Sequence, residues 1–269
     1  MTPLVDNEFS AHLRQSLADG QMLWLFLDYD GTLADFAPTP DDILPDENVI
    51  DLLARLAQHA SIRVAVVSGR RLSHIQELLP VDGILLAGTY GIEIQTQEGE
   101  QIDQVDTALI RPVLDALKPY WEEILADREG FYLEDKGWAL AIHAKDAEDE
   151  VAEQVLGQAK QLVDENLTTE HFRLLGGHKF LEIGPSIANK GENVAYLLER
   201  YPLPGAFLIY IGDDDKDEEA FGVVQARGGL AIKVAAHEVE TGADYRLPSP
   251  SAVRRFLRGL IAAPERHAG

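Results

Sequence analysis

The chain has 269 residues, 46% of them hydrophobic, which is enough for one large globular domain or two modest ones. Its 46 acidic and 23 basic residues give a net charge of −23, so nucleic acid and anionic membrane surfaces, which attract lysine and arginine, are not expected partners. The absence of cysteine excludes a disulfide scaffold and a thiolate metal site, and it fits a reducing compartment such as the cytoplasm.

The N-terminal region predicts a short helix, because Phe9, Leu13 and Leu17 recur at helical spacing. Residues 1–20 are mixed and acidic rather than basic and then apolar, so a secretory signal is not expected. No run in the sequence approaches the roughly eighteen consecutive apolar residues that a membrane helix needs. A membrane-spanning segment is therefore not expected either.

Short apolar runs alternate with helical patterns through the first third of the chain. The uninterrupted apolar runs predict buried strands at residues 23–27, 62–67 and 84–87. The patterns between them predict helices at residues 46–59 and 72–79. Asp46 is placed to cap the first of these helices, after a proline-rich acidic loop at residues 37–45. This alternation is typical of a doubly wound parallel sheet.

The pattern changes after Gly91. A small hairpin is predicted around Glu98-Gly99, and the order helix-strand-strand then occurs twice. The helices are predicted at residues 107–126 and 146–165, and the strands at residues 131–133, 138–143, 171–175 and 179–183. This order is typical of an antiparallel α+β module. Residues 106–184 are therefore predicted to be an inserted cap, and residues 1–105 and 185–269 to form one α/β core.

The α/β alternation resumes after the predicted cap. A helix at residues 189–200 is followed by a strand at residues 207–211, a helix around residues 220–224, a strand at residues 229–234 and a helix at residues 251–261. The fold class predicted for the whole chain is α/β, with a doubly wound parallel sheet and an inserted α+β cap.

Two aspartates follow the first buried strand directly. Asp28 and Asp30 point roughly the same way, because strand side chains repeat every second residue, and Gly31 and Thr32 then allow a tight turn. Ligands gather at the carboxyl ends of parallel strands, and two carboxylates held this close need a cation or a shared proton. Taken alone, the motif is equally consistent with an acidic turn.

Two further loops carry polar groups at equivalent positions. Ser68 and Gly69 follow the strand at residues 62–67, and their hydroxyl and amides are suited to a phosphate, although a lone serine there is usually a helix cap. Lys190 begins a predicted helix, where a cation opposes the helix dipole unless an anion is bound. A solvated surface lysine is the alternative for that position.

An acidic run follows the strand at residues 207–211. It contains Asp213, Asp214 and Asp217, and the last of these, with Glu218, is placed to cap the next helix. Such runs are normally solvated. Because this one begins at the end of a buried strand, as Asp28 does, it favours a Mg²⁺ site made of oxygen ligands.

In their order and position these groups resemble the motifs of the haloacid dehalogenase superfamily. The matching motifs are Asp28-Tyr29-Asp30-Gly31-Thr32, Ser68, Lys190, and Gly212-Asp213-Asp214 through Asp217. Within that superfamily the chain is similar to trehalose-6-phosphate phosphatases, over about residues 22–257, in the segments Val67-Ser68-Gly69-Arg70, 179–185, Asn189-Lys190-Gly191 and 212–218. It departs from the family at Tyr90, where members often have His, and at Lys216, where they often have Thr.

The resemblance implies a Rossmannoid core with a cap of the C2B type, and a Mg²⁺-dependent reaction through an aspartyl-phosphate. By resemblance, Asp28 is the nucleophile, and Asp30 the acid and base. The metal ligands are Asp28, the Asp30 carbonyl and Asp213. Phosphate oxygens are held by Lys190, Thr32, Ser68 and Gly69. Asp214 and Asp217 order Lys190 or metal-bound water.

The resemblance also implies that the cap selects the sugar. Glu134, Lys136 and Glu182 correspond to residues that contact glucose hydroxyls, whereas His143 is expected to be structural. The expected partner is a small sugar phosphate, with no nucleic acid and no membrane, and a monomer is favoured.

Three alternatives stay open at this stage. One is another cap-bearing sugar-phosphate phosphatase, acting on sucrose phosphate or a glycosyl phosphoglycerate. The second is a phosphotransferase similar to phosphomannomutase. The third is a catalytically silent regulatory relative, although such relatives usually lose a leading aspartate or the lysine, which this chain keeps.

Overall fold

The computed structural model describes residues 2–3, 8–36, 43–166 and 171–262. Most of the predicted proline-rich loop, at residues 37–42, lies outside the described residues. The chain divides into two compact units, which we call the core unit (residues 1–102 and 189–269) and the cap unit (residues 103–188). None of the helices in the described part of the chain is long and apolar enough to cross a bilayer.

The secondary structure alternates much as the sequence predicts. In chain order the strands are β1 Thr2–Pro3, β2 Leu23–Leu27, β3 Ile62–Val67, β4 Leu85–Gly88, β5 Glu93–Gln95, β6 Gln101–Asp103, β7 Tyr132–Asp135, β8 Leu140–His143, β9 Phe172–Gly177, β10 Phe180–Pro185, β11 Phe207–Gly212, β12 Leu230–Val234 and β13 Tyr245–Leu247. The helices are α1 Glu8–Ala18, α2 Glu47–Ala57, α3 Leu72–Leu78, α4 Thr107–Leu125, α5 Asp149–Asn166, α6 Lys190–Arg200, α7 Asp217–Gln225 and α8 Pro250–Leu260.

The core unit is built on a sheet whose strand order is β1-β13-β12-β11-β2-β3-β4-β5-β6. The strands from β1 to β4 in that order are parallel, and β5 is antiparallel to β4. The chain order runs outward in opposite directions from β2 and β11. Open α/β sheets bind ligands at the carboxyl ends of their strands where the order reverses in this way. The sheet thus creates a binding edge after β2 and β11.

Helices cover both faces of this sheet, because the side chains of β2 alternate between two apolar clusters. Leu25 packs in a cluster with residues of α2, α3 and α8, whereas Trp24 and Phe26 pack with residues of α6 and α7. All five residues of β2 are buried. The fold predicted from the uninterrupted apolar runs, a doubly wound α/β sheet, is confirmed.

Two features of the core unit differ from the prediction, at β13 and at the start of α7, whereas the predicted cap of α2 is found. β13 carries no long apolar run and was not predicted, since it is a three-residue strand near the sheet edge. Asp46 caps α2 as predicted, by accepting a bond from the Asn48 amide. Asp217 and Glu218 do not cap α7. They lie in its first turn, and Lys216 stands at the cap position with no side-chain capping bond.

The cap unit is an antiparallel sheet of order β7-β8-β10-β9 with two helices. α4 packs on β7 and α5 packs on β10. The Trp121 indole, on α4, donates to the Ala159 carbonyl on α5, which ties the helices together. α4 contains two prolines, Pro112 in its early turns and Pro119 in its interior.

Asp135, at the end of β7, holds the turn of the cap hairpin. Its carboxylate accepts bonds from Arg111 Nη1 at 2.8 Å, Lys118 Nζ at 3.1 Å and the Gly137 amide at 2.9 Å. Partial burial would raise the pKa of this carboxyl, but the hydrogen bonds and the cationic charges outweigh it and hold the pKa well below its usual range. The carboxylate therefore stabilises the folded cap.

We expect Asp135→Asn to lower the free energy of unfolding at pH 7 by about 1 kcal/mol, a modest value because solvent screens a partly exposed pair. A depressed pKa gives stability that is fully present above the unfolded pKa of about 3.9 and is lost as the pH falls further. Urea unfolding at pH 7 and pH 3 measures the difference, which should shrink at pH 3. Asp115→Asn is the control, since Asp115 is largely exposed and its side chain pairs only with Arg111 among the residues that the structure describes. A pH-independent loss would contradict this assignment.

Candidate active site

A buried ion-pair chain lies at the carboxyl edge of the core sheet. Asp28 follows β2, and its Oδ1 is 2.9 Å from the Nζ of Lys190, the first residue of α6. The same Nζ lies 2.6 Å from Oδ1 of Asp217, in the first turn of α7. All three side chains are buried. Lys190 is therefore not a solvated surface lysine, and one ammonium group links the ends of β2 and β11.

Asp217 accepts two more hydrogen bonds, which fix its carboxylate. The Tyr210 hydroxyl donates to Oδ1 at 2.7 Å, and the Asp214 amide donates to Oδ2 at 2.8 Å. A Cβ at Gly212 would lie 2.2 Å from the carboxyl carbon of Asp217, so no side chain fits at residue 212. Asp217 thus holds the Lys190 ammonium, and the close approach of its carboxyl group explains why β11 ends in glycine.

Asp213 lies beside the turn that follows the first aspartate. The Thr32 hydroxyl donates to Oδ1 of Asp213 at 3.1 Å. Gly31 has a φ of 72°, and a Cβ there would lie 2.2 Å from Oδ2 of Asp213. Glycine is therefore required at residue 31 by both its backbone conformation and the nearby carboxylate.

The carboxylates of Asp28, Asp213 and Asp217 form a cluster in which each offers an oxygen within 4.8 Å of the others. Burial raises the pKa of Asp28 well above its usual value, with the charges of Asp217 and Asp213 adding to the effect and Lys190 opposing it. Burial likewise raises the pKa of Asp213 to about 6. For Lys190, burial lowers the pKa, but the two carboxylates outweigh it and raise the pKa.

Burial and the mutual repulsion of the carboxylates raise these pKa values, and a cation bound among the carboxylates would favour their ionised forms. Oxygen ligands from aspartate are those that Mg²⁺ prefers, and a divalent ion would offset the repulsion between the carboxylates. The donor set therefore fits magnesium. Asp217 already accepts three bonds, so Asp28 and Asp213 are the carboxylates best suited to be ligands.

Ser68 and Gly69 follow β3 at the same edge. The Ser68 side chain is buried, and its Oγ accepts a bond from the Arg70 amide at 3.1 Å. The cap position of α3 belongs to Arg71, which makes no side-chain capping bond. Ser68 therefore does not cap that helix, and the structural alternative considered for it is wrong.

Asp30 is held by a residue to which the sequence assigned no role. Arg70 Nε lies 2.7 Å from Oδ2 of Asp30, and Nη2 lies 2.7 Å from Oδ1. This bidentate contact is the strongest arrangement that an arginine makes with a carboxylate, and it fixes the orientation of Asp30. Its only sequence signal is a cation two residues after Ser68. Tyr210 was also missed, because it lies within an apolar strand.

In the cap unit the three predicted sugar-binding residues take part in two polar side-chain contacts. Lys136 Nζ lies 2.6 Å from Oε2 of Glu182, and both side chains are buried. Glu134 Oε2 lies 2.9 Å from Nε2 of His143. Glu134 and Glu182 both align with Ala141 in the strand register, so they share one face of the sheet. His143, predicted to be structural, thus contacts one of the three.

A family model and two curated relatives that match this chain are all described as trehalose-phosphate phosphatases. A family described as trehalose-phosphatase matches residues 26–251. The chain is 34% identical over 241 residues to a probable trehalose-phosphate phosphatase from Sinorhizobium fredii, covering 89% of this chain and 86% of that protein. It is 30% identical over 260 residues to trehalose 6-phosphate phosphatase RA3 from Zea mays, covering 90% of this chain and 71% of that one.

Solved structures resemble the fold. A trehalose-6-phosphate phosphatase related protein aligns with a TM-score of 0.73 at 22% identity, over 87% of this chain and 95% of that one. The trehalose-6-phosphate phosphatase of Aspergillus fumigatus aligns with a TM-score of 0.69 at 24% identity, over 97% and 98% of the two chains. These likenesses agree with a Rossmannoid core that carries a cap.

Proposed function

The chain belongs to the trehalose-phosphatase family and is a phosphatase, and we propose that it hydrolyses trehalose 6-phosphate to trehalose and phosphate through an aspartyl-phosphate. The observation that carries the mechanism is the buried chain Asp28–Lys190–Asp217 beside Asp213. A nucleophile, a fixed cation and an anionic pocket suited to a metal occur together at the edge where the sheet order reverses. The substrate class is a small sugar phosphate. The lack of cysteine supports a cytoplasmic location.

Asp28 is the nucleophile. Its carboxylate forms a bond to phosphorus while the bond between phosphorus and the sugar oxygen breaks, so one difficult step becomes two easier ones. Lys190 holds the carboxylate in place through its Oδ1 and contributes positive charge next to the phosphoryl oxygens. Water then attacks the aspartyl-phosphate and releases phosphate, which restores the Asp28 carboxylate.

Asp30 moves the proton in both steps. It gives a proton to the departing sugar oxygen and takes one from the attacking water. Two hydrogen bonds from Arg70 hold the Asp30 carboxylate in position at the edge of the core sheet.

Phosphate oxygens are bound by Thr32, Ser68, Gly69 and Lys190, which follow β2 and β3 or begin α6. The net charge of −23 repels an anionic substrate, so cations at this edge must reverse the local field. Mg²⁺, held by Asp28, the Asp30 carbonyl and Asp213, would neutralise phosphoryl charge when bound. Asp217 and Asp214 orient Lys190 and the loop after β11.

The sugar is selected by the cap unit, so substitutions there should affect hydrolysis of the sugar phosphate more than hydrolysis of an aryl phosphate. Alanine at Glu134, Lys136 or Glu182 should lower kcat/KM for trehalose 6-phosphate. The expected loss of transition-state stabilisation is roughly 1–3 kcal/mol, the cost of a lost charged hydrogen bond. Turnover of p-nitrophenyl phosphate should change little, since the chemistry needs only the phosphate. Steady-state kinetics with both substrates measures the split.

Two further comparisons make this experiment decisive. Because Lys136 and Glu182 form a buried pair, Glu182→Gln is included as a milder variant that leaves less uncompensated charge. Equal losses of kcat/KM on both substrates would mean that these residues support the fold instead. If the wild type prefers sucrose 6-phosphate or glucose 6-phosphate, the assignment to trehalose 6-phosphate is wrong. Only the assignment as a phosphatase then stands.

A further inference from the structure

The turn after β4 has a strained backbone. Thr89, Tyr90 and Gly91 have φ values of 47°, 56° and 104°, so two residues with side chains adopt the left-handed conformation in succession. Only the third is a glycine, which takes this conformation without cost. Strain of this kind persists where the surrounding structure imposes it, and it concentrates at functional sites.

Hydrogen bonds with two other segments impose this conformation. The Tyr90 amide donates to the Ser68 carbonyl at 2.8 Å, and the Thr89 amide donates to the Arg70 carbonyl at 2.7 Å. Asn193 Nδ2, on α6, donates to the Gly91 carbonyl at 3.2 Å. The turn is thus fixed to the Ser68-Gly69 loop and to the helix that begins with Lys190.

The strained turn places the Tyr90 ring against Gly69. A Cβ at Gly69 would lie 2.7 Å from Cε1 of Tyr90 and 2.8 Å from its Oη, so the ring occupies the space beside the Gly69 backbone. Tyr90 is buried there. The position of the Gly69 amide therefore depends on where this ring lies.

Lys216 reaches Tyr90 from the opposite loop. Its Nζ donates to the Tyr90 hydroxyl at 3.0 Å and lies 5.2 Å from the ring centroid. Lys216 follows Asp213 in the acidic loop after β11, and its contact with Asp214 is longer, at 3.7 Å. The contact thus joins the acidic loop to the Ser68-Gly69 loop.

We propose that Tyr90 and Lys216 act as a positioning pair, which sets the Ser68-Gly69 phosphate-binding loop at a fixed distance from the acidic loop. This inference rests on the phosphatase function proposed above. The phenol-ammonium hydrogen bond holds the ring, and the ring holds Gly69. Neither residue takes part in bond making, so the pair governs how well phosphate is bound.

A double-mutant cycle tests the pair. Tyr90→Phe keeps the ring but removes the hydroxyl, and Lys216→Met keeps the chain length but removes the ammonium. Each should raise the inhibition constant of inorganic phosphate, measured against p-nitrophenyl phosphate hydrolysis, by about tenfold, the size of one charge-assisted hydrogen bond. KM for trehalose 6-phosphate should rise in parallel, with kcat affected less. The double variant should be no worse than either single variant.

The controls separate positioning from general damage. Lys216→Arg keeps a charged donor and should restore phosphate binding to within about threefold of wild type. Tyr196→Phe, on α6, and Lys160→Met, exposed on α5, should leave phosphate inhibition unchanged. Melting temperatures of all variants are recorded alongside.

Three outcomes would overturn the proposal. They are an unchanged phosphate inhibition constant, losses in the two single variants that multiply in the double variant, and losses that track the fall in melting temperature. A wild-type protein inactive on trehalose 6-phosphate would contradict the proposed function alone, because phosphate inhibition of aryl phosphate hydrolysis still reports on the pair.

Discussion

Replacing Asp28 by asparagine is expected to abolish turnover, with a loss on the order of 10⁶-fold, the size seen when a covalent nucleophile is removed. The amide is isosteric, and its oxygen can still accept the bond that Lys190 donates at 2.9 Å, so the site should stay assembled. What the variant lacks is a carboxylate oxygen able to form the bond to phosphorus. Phosphate release from trehalose 6-phosphate measures the loss, and mass spectrometry after rapid acid quench should locate a phosphoryl adduct on Asp28 of the wild type.

Asp30→Asn and Asp19→Asn serve as comparisons. The first removes the proton carrier but keeps the nucleophile, so its loss should be about 10²- to 10⁴-fold, smaller than that of Asp28→Asn. The second lies on the surface just after α1 and should be fully active. An adduct on any other residue, or substantial activity in Asp28→Asn, would show that the nucleophile is misassigned.

The sequence alone predicts the central architecture because local patterns determine it. β2 and β3 are found at the predicted residues, since an uninterrupted apolar run has few ways to be buried other than in a doubly covered sheet. The proximity of Asp28 and Asp213 could be predicted for a similar reason. Each follows a buried parallel strand, and neighbouring parallel strands end at the same edge.

The contacts between loops could not be predicted in this way. Arg70 meets Asp30, 40 residues earlier in the chain, and Lys216 meets Tyr90, 126 residues earlier. Such contacts depend on side-chain rotamers and on the conformation of each turn, which no periodic pattern encodes. The positive φ of Tyr90 illustrates the limit, because only the surrounding hydrogen bonds make that conformation tolerable.

Burial changed the interpretation of individual charged residues. Taken by residue type alone, Lys190 and Lys136 cannot be told from surface lysines, and surface exposure is the usual outcome. In the structure each is buried against a carboxylate. A lysine and a carboxylate that bury each other lie far apart in the sequence, so their pairing appears only once the fold brings them together.

Removal of divalent metal is expected to abolish the phosphatase activity. Asp28, Asp213 and Asp217 place carboxylate oxygens within 4.8 Å of one another, and Lys190 is the one cation among the described residues that contacts Asp28. EDTA should therefore abolish phosphate release, and added Mg²⁺ should restore it. Ca²⁺ should inhibit, because its larger and looser coordination shell does not reproduce the octahedral arrangement of magnesium.

Asp213→Ala should raise the Mg²⁺ concentration needed for half-maximal activity by at least about 10²-fold, since one of the two carboxylate ligands is lost. Asp215→Ala is the matched control: Asp215 lies on the same loop but is exposed, and its Mg²⁺ requirement should equal that of the wild type. A Mg²⁺ titration after chelation measures both variants. Because the Thr32 hydroxyl donates to Asp213, the change also frees that hydroxyl, so Thr32→Val is measured alongside to separate the two effects. Full activity in chelator, or equal Mg²⁺ requirements for Asp213→Ala and Asp215→Ala, would exclude a metal site on this loop.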